Sequence, residues 1–194
     1  MKTLKIILLL LLITGLITCR KEDDNDNLKT YPEENPLALY LEKSGFNQKT
    51  TPFIDSVTYE LGYKFKAKVK GKINAVTFKI PDNAANVRVT IWDVSTKGIL
   101  RTFYIPVTTA NTEVRSAIDP MTVNPDTEYL ITYSGNVYYF RQKTDGTNTV
   151  YPIDAGNITI TGYHWRNGTA QIFPEQMAAY YYTGDLSIVF QQAE

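Results

Sequence analysis

Tyr63-Lys64-Phe65-Lys66-Ala67-Lys68-Val69-Lys70 alternates strictly, with apolar side chains at the odd positions and lysines at the even ones. Residues two apart share a face of a strand, so this stretch reads as a strand with one face buried and the other solvated. Gly71 ends the run, and Ile73, Ala75 or Val76, and Phe78 resume it. The simplest expectation is a hairpin turning at Lys70 to Lys72. A strand pair that is apolar on one side needs a second layer to cover it, so the rest of the chain has to supply another sheet.

Downstream, the pattern repeats. Val87-Arg88-Val89-Thr90-Ile91-Trp92-Asp93 alternates, Val94 to Gly98 turns it, and Ile99 to Ile105 returns as a second hairpin. Further strands are expected around Arg115 to Met121, at Tyr129 to Tyr133 after the turn Asn124-Pro125-Asp126-Thr127-Glu128, at Val137 to Arg141, at Ile158 to Thr161, and at Leu186 to Phe190. Upstream, Asn35 and Pro36 before Leu37-Ala38-Leu39-Tyr40-Leu41, with Gly45 beyond, mark a short helix. The fold expected is all-β: an antiparallel β-sandwich, jelly-roll-like, with a short N-terminal helix, in one domain over residues 37–194.

A chain of 194 residues can bury one core. Its 20 basic and 20 acidic residues balance, and two of the lysines lie in the N-terminal leader, which excludes a nucleic-acid protein. Cys19 is the single cysteine and His164 the single histidine. No disulfide framework follows, and neither a metal site nor a cofactor is expected. No nucleophile elbow, paired metal-binding histidines or phosphate-cradling glycine loop is present, so no catalytic residue is assigned. Paired carboxylates of a glycosidase-like enzyme remain an alternative, since their separations are invisible in sequence.

Lys2 and Lys5 precede an apolar run from Ile6 to Ile13, the layout of a secretory leader over residues 1–18. Leu16-Ile17-Thr18-Cys19 resembles the lipobox of bacterial lipoproteins, with Thr18 where a smaller residue is usual. That resemblance implies lipid attachment at Cys19 and a membrane partner reached through the N-terminal lipid, stable once two or more acyl chains are added. Residues 19–36 then read as the lipidated cysteine and a disordered tether, because charge without apolar side chains cannot offset the entropy of ordering. Lys21-Glu22-Asp23-Asp24 is similar to the export tag of Bacteroidetes-type surface lipoproteins, and a plain solvated spacer is the other reading. The expected location is the cell envelope, lipid-anchored at the outer membrane and facing either the periplasm or the cell surface.

Glu60-Leu61-Gly62-Tyr63-Lys64-Phe65, a glycine before Lys72-Ile73, Val89-Thr90-Ile91-Trp92-Asp93 with Gly98-Ile99-Leu100, and Val123-Asn124-Pro125-Asp126-Thr127-Glu128-Tyr129 resemble a family of secreted bacterial β-sandwich modules, the domain of unknown function 4082. The likeness runs from about Phe53 to Gln191. It implies extracellular recognition and carries over no functional residues.

Five residues are candidates for ligand binding. Tyr163-His164-Trp165-Arg166-Asn167-Gly168 is expected at a loop tip, where Trp165 can stack on a sugar while His164, Arg166 and Asn167 bond its hydroxyls. The alternative is that Trp165 caps the open end of the sandwich. Trp92, on the polar phase of its strand, is either a sugar platform or a plug under a loop. Tyr138-Tyr139-Phe140 and Tyr180-Tyr181-Tyr182 must each turn an aromatic outward if they are strands. The lysine row from Lys64 to Lys70 either meets an anionic polysaccharide or keeps a sheet edge from pairing. Asp145-Gly146-Thr147-Asn148 is a weak calcium loop, and Asp55-Ser56-Val57 looks like a short O-glycosylation motif. The expected function is glycan or surface recognition through loop aromatics, without turnover. The rival is an accessory subunit that docks an envelope protein partner.

Overall fold

The computed structural model describes residues 29–193. The expected leader, the expected lipid-attachment residue Cys19 and the first part of the expected tether lie outside the described residues. Twelve strands and one helix follow in the order β1 (Glu33–Glu34), α1 (Leu37–Ser44), β2 (Lys49–Ala67), β3 (Gly71–Lys79), β4 (Ala84–Asp93), β5 (Ile99–Val107), β6 (Val114–Val123), β7 (Glu128–Gln142), β8 (Ile153–Ala155), β9 (Ile158–Asn167), β10 (Gln176–Ala178), β11 (Tyr181–Thr183) and β12 (Asp185–Gln192). They form two antiparallel sheets packed as a sandwich. The smaller has the order β1-β12-β3-β6; the larger runs β10-β9-β2-β7-β4-β5, with β11 beside β7 and β8 beside β9.

The alternating stretch is the centre of the larger sheet. In β2, Tyr63 stands opposite Ile131 of β7 and Tyr163 of β9, and Phe65 opposite Tyr129 and Ile160. The expected hairpin at Lys70 to Lys72 does not form, because β3 belongs to the other sheet, between β12 and β6. The chain arches from one layer to the other, so the apolar faces of β2 and β3 meet across the core instead of lying side by side. Gly71 permits this, since a Cβ there would lie 2.3 Å from the Phe190 ring of β12. Ile73, Ala75, Val76 and Phe78 are all fully buried after the arch.

This placement corrects the reading of the lysine row as protection of a sheet edge. β2 is flanked on both sides, and Lys64, Lys66 and Lys68 accompany a central strand. Lys64 Nζ sits 5.8 Å above the Phe173 ring, and Lys68 pairs with Asp154 at 3.2 Å. Two more expectations change. Tyr129 to Tyr133 and Val137 to Arg141 are one strand, β7, which continues through Gly135 while β2 bulges at residues 55–58 to stay in register. The stretch from Tyr163 to Asn167 is no loop tip, because β9 runs on to Asn167 against β2.

Part of the expected tether is also built in. Glu33 and Glu34 pair with Gln191 and Phe190 as β1. Glu33 accepts two bonds from Arg115 Nη2 at 3.0 and 2.8 Å, and Glu34 accepts from the Asn157 amide at 2.9 Å and its Nδ2 at 2.5 Å. Composition reads these carboxylates as solvated, but each finds a fixed donor. Helix α1 then opens where Asn35 Oδ1 accepts the Leu37 amide at 3.1 Å, and closes at Gly45, whose φ of 77° is left-handed. It buries Leu37, Tyr40 and Leu41 against the sandwich, each contributing about 1.5–3 kcal/mol if fully desolvated. The core is rich in tyrosine. Tyr63, Tyr133, Tyr163 and Tyr182 are buried with hydroxyls engaged, for example Tyr63 Oη accepting the Ile188 amide at 3.3 Å from the opposite sheet.

Candidate functional site

Strand β9 puts consecutive side chains on opposite faces of the larger sheet. His164 and Arg166 look outward, whereas Tyr163 and Trp165 look toward the core. The chain then folds back as a strap, residues 168–175, over the outer face. Gly168 donates its amide to the Thr58 carbonyl at 2.7 Å, and Gln171 Nε2 donates to Thr90 and Thr102 Oγ1 at 2.9 and 2.7 Å. Phe173 stands edge-on to Trp92, with ring centroids 5.8 Å apart at 84°.

Beneath the strap lies a polar network. Trp92 Nε1 donates to Thr132 Oγ1 at 2.9 Å, and Thr132 donates to Glu60 Oε1 at 2.5 Å. Arg88 Nη2 donates to Glu60 Oε2 at 2.8 Å, and Arg88 Nη1 holds the strap through the Thr169 carbonyl at 3.1 Å. Burial pushes the Glu60 carboxyl above its ordinary range, against the Thr132 and Arg88 bonds that pull it down. His164 is 2% exposed, with Nδ1 3.3 Å from the Pro174 carbonyl. Burial, and then Lys64, depress its imidazole from the ordinary 6.5 to about 4, so it is neutral at physiological pH.

Two cavities flank β9. The first is a groove of about 790 Å³ along the strap. Its lining is apolar at Phe173, Ile99, Ile172 and the edge of Trp92 and polar at Arg166, Asn167, Gln171 and Gln176, with the Lys97–Glu175 ion pair. The second is a pocket of about 150 Å³ on the core side, walled by Tyr59, Tyr138, Phe140, Tyr163, Trp165 and Tyr181.

The five candidates therefore do not share one site. Arg166, Asn167 and the edge of Trp92, which is 2% exposed under Phe173, line the groove, Trp165 lines the pocket, and His164 is covered by the strap. Gln171, Glu175 and Gln176 escaped the sequence reading, because the strap has no periodicity; planar amides around Phe173-Pro174 were its one visible signal. Asp145 Oδ1 takes the amide and hydroxyl of Thr147 at 3.0 and 2.9 Å, closing a turn on itself. Among the described residues no group of three or more His, Cys, Asp or Glu side chains is placed to hold a metal ion, and no helix is long and apolar enough to cross a membrane.

A family profile described as a domain of unknown function, DUF4082, matches residues 47–183, more than two thirds of the chain. The chain belongs to this family. The DUF4082 match contains every residue of both cavities and the whole strap. It leaves out β1, α1 and β12, although β12 is an interior strand of the smaller sheet. A search of curated proteins found no match to this DUF4082 chain.

Proposed function

We propose that this DUF4082 protein is a non-catalytic, lipid-anchored recognition module of the cell envelope, and that it binds a glycan in the groove beside the strap. The observation that carries the reading is the groove's lining, which combines apolar side chains with planar amides and charges. A sugar ring presents C–H patches to such apolar side chains. Its hydroxyls each need a donor and an acceptor, which amide side chains supply together. A volume of about 790 Å³ falls within the roughly 300–1,000 Å³ typical of small-molecule sites. The bonds of Gln171 and Arg88 fix the strap in place beside the groove, which limits the entropy lost on binding. The envelope location rests on the leader and the Leu16-to-Cys19 pattern.

A panel of immobilised glycans probed with the acylated chain tests this. Gln176→Ala and Asn167→Ala should each cut retention about tenfold, the worth of one good polar contact, with unchanged thermal midpoints; Trp165→Ala should leave glycan retention alone. A second reading is favoured by strand β5, a sheet edge on which Ile99, Leu100 and Tyr104 are exposed. Silence on every sugar, together with a cross-linked protein partner lost on Tyr104→Ala, would replace the first reading with docking of an envelope protein.

A further inference from the structure

We propose that the aromatic pocket on the core side of β9 binds an alkylated ammonium group, with the Asp55 carboxylate as its counter-charge. This site is separate from the groove and does not depend on what the groove binds.

Three pairs of wall rings meet at steep angles. Tyr59 stands edge-on to Tyr138, with centroids 6.1 Å apart at 87°, and is inclined to Trp165 at 6.2 Å and 63°. Tyr181 meets Tyr163 at 5.5 Å and 63°. Phe140 stacks on Tyr181 at 5.0 Å and 22°, and the inclined rings around that pair leave a hollow between them. The hollow measures about 150 Å³, and a cavity of that order holds about one six-membered ring. A trimethylammonium head is of similar bulk.

Rings alone would suit any small apolar group; the Asp55 carboxylate, which is not itself a wall but stands behind two of them at their hydroxyls, decides for a cation. Residues 55–58 bulge out of β2, and this turn is held by the Asn136 amide group donating to the Asp55 carbonyl at 2.8 Å and the Val57 amide donating to Asp55 Oδ1 at 3.2 Å. Asp55 Oδ2 is thereby placed to accept the hydroxyls of both Tyr138, at 3.1 Å, and Tyr59, at 3.3 Å. A phenol bonded to an anion is polarised, which makes its ring face more negative and a better partner for a cation. The Val57 amide, and then the Tyr138 hydroxyl, hold the Asp55 carboxyl below the usual carboxylate range, so the charge is present at neutral pH.

Nearby arginines are engaged elsewhere. Arg166 reaches the Ala170 carbonyl at 3.3 Å, and Arg141 grips Asp185. A small hydrated metal ion gains little from apolar walls, whereas an alkylated ammonium offers both spread charge and methyl surface.

The probe is choline against its uncharged isostere, 3,3-dimethyl-1-butanol, titrated into the detergent-solubilised full chain. Trp92→Phe leaves Trp165 as the fluorescent reporter in the pocket. Choline should perturb that emission saturably and bind about tenfold more tightly than the alcohol; Asp55→Asn should erase the preference without weakening the alcohol. Phosphatidylcholine vesicles distinguish the source. Because the proposed acyl anchor would hold the chain on any bilayer, the readout is retention on phosphatidylcholine beyond that on phosphatidylglycerol vesicles: an excess relieved by free choline assigns a lipid headgroup, and choline binding without such an excess assigns a free solute; either supports the site. Equal affinity for the two probes, or no saturable response to choline from a chain with intact circular dichroism, would overturn it.

Discussion

Arg141 of β7 and Asp185 of β12 join the two sheets through a paired contact, Nε and Nη2 each reaching a carboxylate oxygen at 2.6 Å, with the side chains 16% and 6% exposed. Removing one partner strands the other charge in a nearly dry site. Asp185→Asn should cost about 3 kcal/mol, read from urea unfolding. Arg141→Met combined with Asp185→Leu should recover more than half of that loss, because the buried charge is then gone. Additive losses would show that the pair does not act as a unit.

Gly71 marks the arch between the layers, and a Cβ there would meet the Phe190 ring at 2.3 Å and the Gln191 carbonyl oxygen at 2.5 Å. Gly71→Ala should destabilise by about 1–3 kcal/mol through overpacking. Phe190→Leu should cost less in the Gly71→Ala background than alone, since the smaller side chain makes room. A double-mutant cycle in denaturant measures this coupling, and zero coupling refutes it.

The pH dependence has two opposed contributions. An unfolded His164 takes up a proton near 6.5, while the folded one resists until about 4. Between these values the unfolded chain binds more protons, so this histidine makes stability fall on acidification. Glu60, with its folded carboxyl raised, binds its proton earlier in the folded state and opposes that fall. His164→Gln should therefore flatten the decline from pH 6.5 to about 4, and Glu60→Gln should steepen it. Urea midpoints across this range check both signs; profiles that match wild type would mean the two groups titrate freely.

Trp92 is the plug on which the strap rests. Trp92→Leu should cost about 3 kcal/mol and speed amide exchange at residues 169–173, leaving β3 and β12 as protected as before. Hydrogen exchange with mass spectrometry resolves the segments. Uniform acceleration would instead mean that the strap and the sandwich open together.

Much of the architecture was written in alternation. Val87 to Asp93 with Ile99 to Ile105 reads as a hairpin and is one, because the turn between them is short and both strands keep one apolar side. The Tyr63-to-Phe78 stretch looks identical in one dimension, yet it arches between sheets: a run, a glycine and another run serve either geometry, and the choice is made by Phe190 and Met121, which lie far away in sequence. The site was less legible for a related reason. His164, Trp165, Arg166 and Asn167 form a compact cluster as letters, but β9 extends through them and sends neighbours to opposite faces. The bonds that hold Gln171 over Thr90 and Thr102 span 81 and 69 residues, beyond the reach of any local pattern.

The family match stops at Thr183, just before β12, an interior strand of the smaller sheet. A polypeptide trimmed to that boundary would lack the strand that fills the smaller sheet between Glu33–Glu34 and Ile73 to Phe78. It would bare an unpaired ladder beside a greasy surface, the condition in which chains recruit one another. Inclusion bodies from such a fragment would reflect a missing piece of the fold and would say nothing against the family's ability to stand alone.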